Sequence, residues 1–167
     1  STRLLLFGLL VGTLLSTTAS AKDSALEVRG GVVTFAHGQS IAIPHKLKPM
    51  VRMEWSHGYP EGIRYGLEAL TVPDPLEGYR LFGGLFNVHA RMVESGLFSM
   101  WWRAGVGVGN GPPILYKDLG EGEPWTLLAN MGLAFRFQLG DSMSLSLNLG
   151  EENLTAVSVD GGVAFHF

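Results

Sequence analysis

The stretch AVSVDGGVAFHF, residues 156–167, decides the fold because its side chains alternate between apolar and polar. Val157, Val159 and Val163 belong to one set of alternate positions, and Ser158 and Asp160 belong to the other. Successive side chains of a β-strand point to opposite faces of the sheet, so a period of two predicts a strand with one apolar and one polar face. The rest of the chain repeats this pattern.

A second clear strand is SMSLSLNL, residues 142–149, where apolar residues interleave with three serines and Asn148. The same alternation appears near residues 26–35, 51–56, 63–69, 82–91, 102–108 and 129–138. In the first of these stretches we expect Gly30 and Gly31 to form a β-bulge that shifts the alternation. The sequence therefore predicts eight strands.

The connections between these strands alternate in length. The longer ones lie near residues 37–47, 73–77, 110–124 and 151–154, and the shorter ones near 58–61, 93–96 and 139–141. Outer-membrane barrels have an even number of strands, short turns on one side and longer loops on the other. The pattern predicts an all-β fold for residues 22–167, an eight-stranded antiparallel up-and-down transmembrane β-barrel.

Residues 1–21, STRLLLFGLLVGTLLSTTASA, have the features of a secretory signal peptide. Arg3 precedes an apolar run from Leu4 to Leu15, and Ala19 and Ala21 form the small-residue cleavage pattern. An apolar run of about a dozen residues is too short for a membrane-spanning helix, which needs roughly 20. We therefore expect cleavage after residue 21 and export of the mature chain.

Composition excludes several functions. With a net charge of −3 and 16% charged residues, the chain lacks the basic surface of a nucleic-acid-binding protein. It has no cysteine, which excludes disulfides, thiol catalysis and cysteine metal sites. The histidines are scattered, without metal-ligand spacing, at positions 37, 45, 57, 89 and 166. We expect no metal site and no cofactor.

A soluble lipocalin-like barrel or a sandwich would also alternate, but it would bury its apolar face and expose its polar face to water. Here the polar face carries charges of both signs among glycines and serines, which is typical of a narrow barrel interior. The predicted interior charge network comprises Arg29, Arg52, Glu54, Arg64, Glu68, Arg103, Arg136 and Asp160. The turn near 58–61 would place Arg52 opposite Glu68, or Glu54 opposite Arg64.

The apolar face carries aromatic residues, many near strand ends, as in the aromatic girdles that contact lipid headgroups. They are Trp55, Tyr65, either Trp101 or Trp102, Phe135, Phe137, Phe165 and Phe167. The closing pattern, with Phe165 and a final Phe167, resembles that of small outer-membrane barrels of the OmpA/OmpX type. The resemblance implies an outer-membrane location, contact with lipid and lipopolysaccharide, and recognition of Phe165 and Phe167 by the barrel-assembly machinery.

A second resemblance covers the last four strands. WRAGVGVGNG (102–111), LLANMGLAFRFQLGDSMSLSLNLGEENL (127–154) and VDGGVAFHF (159–167) are similar to PagL-like lipid A 3-O-deacylases. That family places a histidine and a serine two residues apart at the end of the seventh strand, as base and nucleophile, with an acidic partner further along. This chain has Asn148, Leu149 and Gly150 there, followed by Glu151 and Glu152. No catalytic residue carries over, so the sequence favours a protein without enzymatic activity.

An eight-stranded interior is only wide enough for side chains, so we expect a plugged, polar interior and a structural or interaction role. The first and third outside loops are the expected contact surfaces for an envelope protein or lipopolysaccharide. The third loop, NGPPILYKDLGEGEPW (110–125), offers Ile114, Leu115, Tyr116 and Lys117 as contact residues. A deacylase built from other residues and a narrow channel are the alternatives.

Overall fold

The computed structural model describes residues 23–35, 47–58, 62–74, 79–110, 126–152 and 156–167. They form eight strands: β1 Ser24–Phe35, β2 Lys48–Gly58, β3 Ile63–Asp74, β4 Tyr79–Ser95, β5 Phe98–Asn110, β6 Thr126–Gly140, β7 Met143–Glu152 and β8 Ala156–His166. Each strand pairs antiparallel with the next, and β8 pairs with β1 to close the barrel. The predicted eight-stranded antiparallel up-and-down barrel is confirmed.

The two rims of the barrel differ in their connections. At the short-turn rim, residues 59–62 join β2 to β3, and two-residue turns, Gly96 with Leu97 and Asp141 with Ser142, join the later hairpins. The long-connection rim has residues 36–47, 75–78, 111–125 and 153–155 between strands. Strand β7 runs to Glu152, so the connection predicted at 151–154 begins two residues later than expected. Among the residues described, none belongs to a helix long and apolar enough to cross a membrane.

The pairing register fixes the tilt of the strands. A path that steps from Ser24 to each paired neighbour in turn returns to β1 at Thr34, ten residues further along, through His57, Tyr65, Val88, Ala104, Met131, Glu151 and Val157. A closed barrel of eight strands with this stagger has strands tilted by about 40° and a lumen that side chains can fill.

The β-bulge predicted at Gly30 and Gly31 is wrong. Strand β1 pairs without interruption with β2 and with β8 through both glycines. Gly31 is needed for a different reason, because a methyl group there would overlap the backbone of Val159 and Asp160. Gly30 faces open space on the outer side. The register instead shifts between Arg91 and Val93 and between Gln138 and Gly140, near the short-turn rim.

The two faces of the wall follow the alternation. The outward positions in the described ranges 26–32, 51–55, 63–71, 82–90, 102–108, 127–137, 143–149 and 157–165 carry no charged residue. Their large apolar side chains are exposed, as Leu67 at 51% and Val106 at 62% illustrate. The inward positions hold the buried polar and charged residues. The wall is therefore apolar outside and largely polar inside.

Outward-facing aromatic side chains concentrate toward the short-turn rim. Trp102 faces outward with 42% exposure, whereas Trp101 faces the lumen, which settles the choice between the two. Neighbouring rings pack against each other on this surface: Tyr65 with Phe86, Trp55 with His57, and Phe98 with Phe135 and Phe137.

Gly66→Ala and Gly30→Ala form a matched pair that separates the two faces. A methyl group at Gly66 would collide with the buried Glu54 carboxylate, whereas Gly30 has nothing within 4 Å of the added carbon. We expect Gly66→Ala to lower the free energy of unfolding by about 1–3 kcal/mol. Gly30→Ala should change it by less than about 1 kcal/mol. Urea unfolding in phospholipid vesicles measures both, and equal losses would contradict the assignment of Gly66 to the lumen.

Candidate functional site

The eight charged residues of the predicted network all lie inside the barrel. Their relative exposure ranges from 1% for Arg29, Arg52, Glu54 and Arg103 to 7% for Arg64. A charge removed from water in this way is tolerated only where an opposite charge or hydrogen bonds compensate it. The arrangement of partners therefore determines how the lumen is filled.

Glu68 lies at the centre of the lumen and receives three guanidinium groups. Arg52 Nη1 lies 2.6 Å from Glu68 Oε1, Arg103 Nη1 lies 3.5 Å from Oε2, and Arg29 also binds Oε2. Arg29 Nη2 lies 2.8 Å from Glu54 Oε2 as well. Glu54 and Glu68 are direct cross-strand neighbours, so Arg29 offsets the repulsion between their carboxylates. We call Arg29, Arg52, Glu54, Glu68, Arg103 and Asp160 the ionic cluster.

The register differs from both predicted pairings. Arg52 lies opposite Leu70 and reaches Glu68 along a diagonal, and Arg64 lies opposite Gly58. Arg64 forms no ion pair with Glu54, whose partners are Arg29 and His89. The reason is that the register follows from the stagger of the whole barrel, which one hairpin turn does not specify.

Several members of the network were missed. Glu27 Oε2 lies 3.2 Å from Arg136 Nη2, and His89 Nε2 lies 2.5 Å from Glu54 Oε1. The signal was available, because Glu27 stands two residues before Arg29 in the same phase of β1. His89 likewise belongs to the inward phase of β4.

The remaining members come from β7 and β8. Glu152 binds Arg52 and accepts a hydrogen bond of 2.8 Å from the Ser158 hydroxyl. Asn148 Nδ2 donates to Asp160 Oδ1 at 2.8 Å. Glu152 escaped the sequence analysis because it was assigned to a connection, whereas in the structure it ends a strand.

Near the short-turn rim, three arginines surround one indole ring. The guanidinium carbons of Arg64, Arg91 and Arg136 lie 5.8, 5.8 and 5.4 Å from the centre of the Trp101 ring. The face of an indole attracts cations, which explains why these side chains gather there. Arg91 also pairs with Glu94 at 2.6 Å, on the exposed edge of the barrel.

Toward the long-connection rim, most inward side chains of the described strands are apolar, although Lys48, opposite Val33, also points into the lumen and is buried. Seven inward residues with 0–5% exposure form this apolar layer: Val33, Met50, Leu70, Val72, Leu85, Leu128 and Ala156. They come from six of the eight strands. The expectation of a polar interior is therefore correct only for the ionic cluster and the short-turn side. The apolar layer was missed because a strand's inward phase was assumed to be polar along its whole length.

No catalytic triad is present in the described part of the chain. Ser24 Oγ lies 2.9 Å from His57 Nδ1, and Ser144 Oγ lies 2.9 Å from His166 Nε2. Across the described strands, neither histidine has a carboxylate within 4.0 Å, so the third group that orients the base is missing. Ser56 faces inward and His57 outward, as their adjacent positions require.

The position expected for a deacylase site carries different chemistry. Asn148 faces the lumen and binds Asp160, while Leu149 faces outward with 43% exposure. The described residues contain no group of three histidine, aspartate or glutamate side chains arranged to hold a metal ion. His37, His45 and the loop residues 114–117 lie outside the described residues.

Comparison with known proteins identifies the fold only through structure. No protein-family model matches the chain, and no curated protein matches it significantly. Similar solved structures include the N-terminal β-barrel domain of Pseudomonas aeruginosa OprF, at 12% identity and a TM-score of 0.60. Neisserial surface protein A is similar at 9% identity, with a TM-score of 0.62. Ail, the attachment invasion locus protein of Yersinia pestis, is similar at 9% identity, with a TM-score of 0.58. Each alignment covers 89% of this chain and 100% of the other.

The chain has the fold of a small outer-membrane β-barrel. At 9–12% identity the likeness concerns the fold alone. The lumen of this outer-membrane-type barrel holds three groups in succession between the two rims: an arginine–tryptophan group, the ionic cluster and the apolar layer.

Glu68→Gln and Glu94→Gln test how much the ionic cluster contributes to the free energy of unfolding. Removing the Glu68 charge leaves three buried guanidinium groups short of a partner, so we expect the free energy of unfolding to fall by about 3–5 kcal/mol. The Glu94 side chain is 57% exposed, and its loss should cost no more than about 1 kcal/mol. Urea unfolding in phospholipid vesicles measures the free energy of unfolding of both variants. A Glu68 variant as stable as the Glu94 variant would refute a structural role for the cluster.

Proposed function

We propose that this barrel is inserted in a bacterial outer membrane and acts there as a structural or interaction protein, without catalysis and without an open pore. The observation that carries the proposal is the outer surface, which carries no charged residue at the outward positions of the ranges given above; Glu151, in the same phase of β7, lies beyond them near the long-connection rim. A continuous apolar belt of this kind on a protein in water would drive aggregation, whereas lipid covers it in a membrane.

The dimensions of the belt support insertion. On β6 the outward apolar positions run from Leu127 to Phe137, a span of ten residues or about 33 Å along the strand. With a tilt of about 40° this is about 25 Å along the barrel axis, which matches the apolar band of outer-membrane barrels. The aromatic residues near the short-turn rim suit the interface between lipid tails and headgroups.

The proposed outer-membrane location also requires export of the chain and assembly of the barrel. The signal peptide predicted at residues 1–21 lies outside the described residues. Phe165 and Phe167 are 50% and 40% exposed on the outer face of the closing strand. A terminal strand that presents alternate apolar side chains in this way fits recognition by the barrel-assembly machinery. Outer-membrane lipid and lipopolysaccharide are then the immediate surroundings of the protein.

The narrow lumen and the rigid wall favour an interaction role. Buried inward side chains occur along the lumen between the two rims, and an eight-stranded barrel is narrow, so the barrel itself offers no wide passage. Binding residues in comparable folds concentrate on loops held by a rigid wall. We therefore assign contact with an envelope protein or lipopolysaccharide to the first and third outside loops, including Ile114, Leu115, Tyr116 and Lys117.

Insertion is tested by placing an arginine at two heights on the outer face. Leu149 lies near the middle of the belt, between Leu133 and Val159, whereas Leu139 lies at the short-turn rim. Leu149→Arg should lower the free energy of unfolding in vesicles by about 2–4 kcal/mol, and Leu139→Arg by no more than about 1 kcal/mol. Equal costs at the two positions would argue against a lipid-covered belt.

The interaction role is tested by replacing residues 112–122 with a glycine–serine linker of equal length. Capture of envelope partners or lipopolysaccharide from cross-linked cells should be lost, because the apolar and charged contact side chains are gone. The same replacement of residues 75–78 is the control and should leave capture unchanged.

Unchanged capture and unchanged envelope integrity after the 112–122 replacement would count against the loop assignment. Mass spectrometry of lipid A from the same strains addresses catalysis. Lipid A should keep all its acyl chains whether or not the protein is present, and loss of one chain in its presence would contradict a non-catalytic role.

A further inference from the structure

Many buried polar atoms of the lumen have no hydrogen-bond partner in the described structure. They belong to Glu27, Arg29, Asn87, His89, Arg103, Asn130, Arg136, Ser146 and Asp160. Leaving such a group unpaired is unfavourable, so folded proteins satisfy it with ordered water where there is room. None of these residues belongs to the apolar layer. The unpaired groups therefore indicate a hydrated region that ends at that layer.

Two of the residues with such atoms flank Gly105. Asn87 and Asn130 are its paired neighbours on β4 and β6, and their side-chain oxygens approach the space where a β-carbon would stand. Arg103 Nη2, from the same inward phase of β5, is also unpaired. These atoms comprise carbonyl acceptors together with amide and guanidinium donors. A water molecule both donates and accepts, so it satisfies this mixed set.

The apolar layer offers water no comparable partners. Its seven members present only hydrocarbon and the Met50 thioether to the lumen, and all are at most 5% exposed. Two charged residues adjoin the layer: Lys48 on β2, opposite Val33, and Glu152 on β7, whose carboxylate is occupied by Arg52 and the Ser158 hydroxyl. An apolar constriction excludes water, and without water neither ions nor protons cross.

We propose that the apolar layer, and not the ionic cluster, is the permeability barrier of this lumen. The polar part is a blind chamber that takes up water from the short-turn side, and Leu70, Val72 and Leu128 keep the long-connection end dry. This inference rests on the membrane insertion proposed above, because a barrier has meaning only where two compartments are separated.

Proton leakage through the barrel shows whether the apolar layer or the ionic cluster is the permeability barrier. Protons move along water chains and titratable side chains, so an ionic cluster alone would hinder them little, whereas a dry layer stops them. The purified full-length mature chain is reconstituted in vesicles that contain a pH-sensitive dye, and the decay of an imposed pH difference is followed with the membrane potential clamped.

The decisive variant combines Leu70→Ser with Leu128→Ser. We expect it to leak protons at least about tenfold faster than the wild type, which corresponds to a barrier lowered by about 1.4 kcal/mol. The matched control combines Leu67→Ser with Leu127→Ser, which face outward with 51% and 72% exposure. This control and Glu68→Gln should both leak no faster than the wild type.

Val72→Thr provides a second variant of nearly unchanged shape, should the double substitution not fold, and is expected to raise the leak in the same direction. Fast leakage through a Glu68→Gln variant shown to be folded, or through the wild type, would overturn the proposal. So would a folded layer variant that stays tight. Protease protection measures insertion separately, so a wild type that fails to insert counts against the proposed membrane role and is not mistaken for a failure of the barrier.

Discussion

A narrow lumen shared by eight strands is the constraint on which the rest of this structure depends. Every second side chain points into it, so each inward charge must find its partner within the same confined space. Glu68 meets this demand for three strands at once, because guanidinium groups from β1, β2 and β5 converge on its carboxylate. Such convergence ties together strands that are far apart in the sequence and makes the interior one cooperative unit.

The same constraint explains the inward glycines. Gly66 leaves room for the Glu54 carboxylate, and Gly105 leaves room for two asparagine side chains. Large side chains fit inside the barrel because neighbouring inward positions have none. Volume and charge are therefore balanced together, and the lumen is filled by three successive regions of different chemistry rather than by one uniform polar plug.

The outer surface and the regions of the lumen have different roles. The outer surface is suited to lipid, the ionic cluster joins the strands, and the apolar layer lies toward the end on which the long connections stand. In the interaction role proposed above, such a wall is a rigid support and recognition falls to the loops. The solved barrels with the same fold, such as OprF and Ail, share the wall at 9–12% identity. Alternation preserves a wall of this kind while nearly every individual residue changes.

The sequence by itself determined the number of strands, their faces and the inward position of all eight predicted charges, because parity along a strand is a local property that alternation reveals directly. It did not determine which charges meet. Arg52 finds Glu68 along a diagonal and Arg29 finds Glu54 across strands, since the ten-residue stagger of the closed barrel sets those distances. The apolar layer was hidden for the same reason. Residues such as Val33, Leu70 and Leu128 lie far apart in the chain, and only the closure of the barrel places them at one height where they can exclude water together.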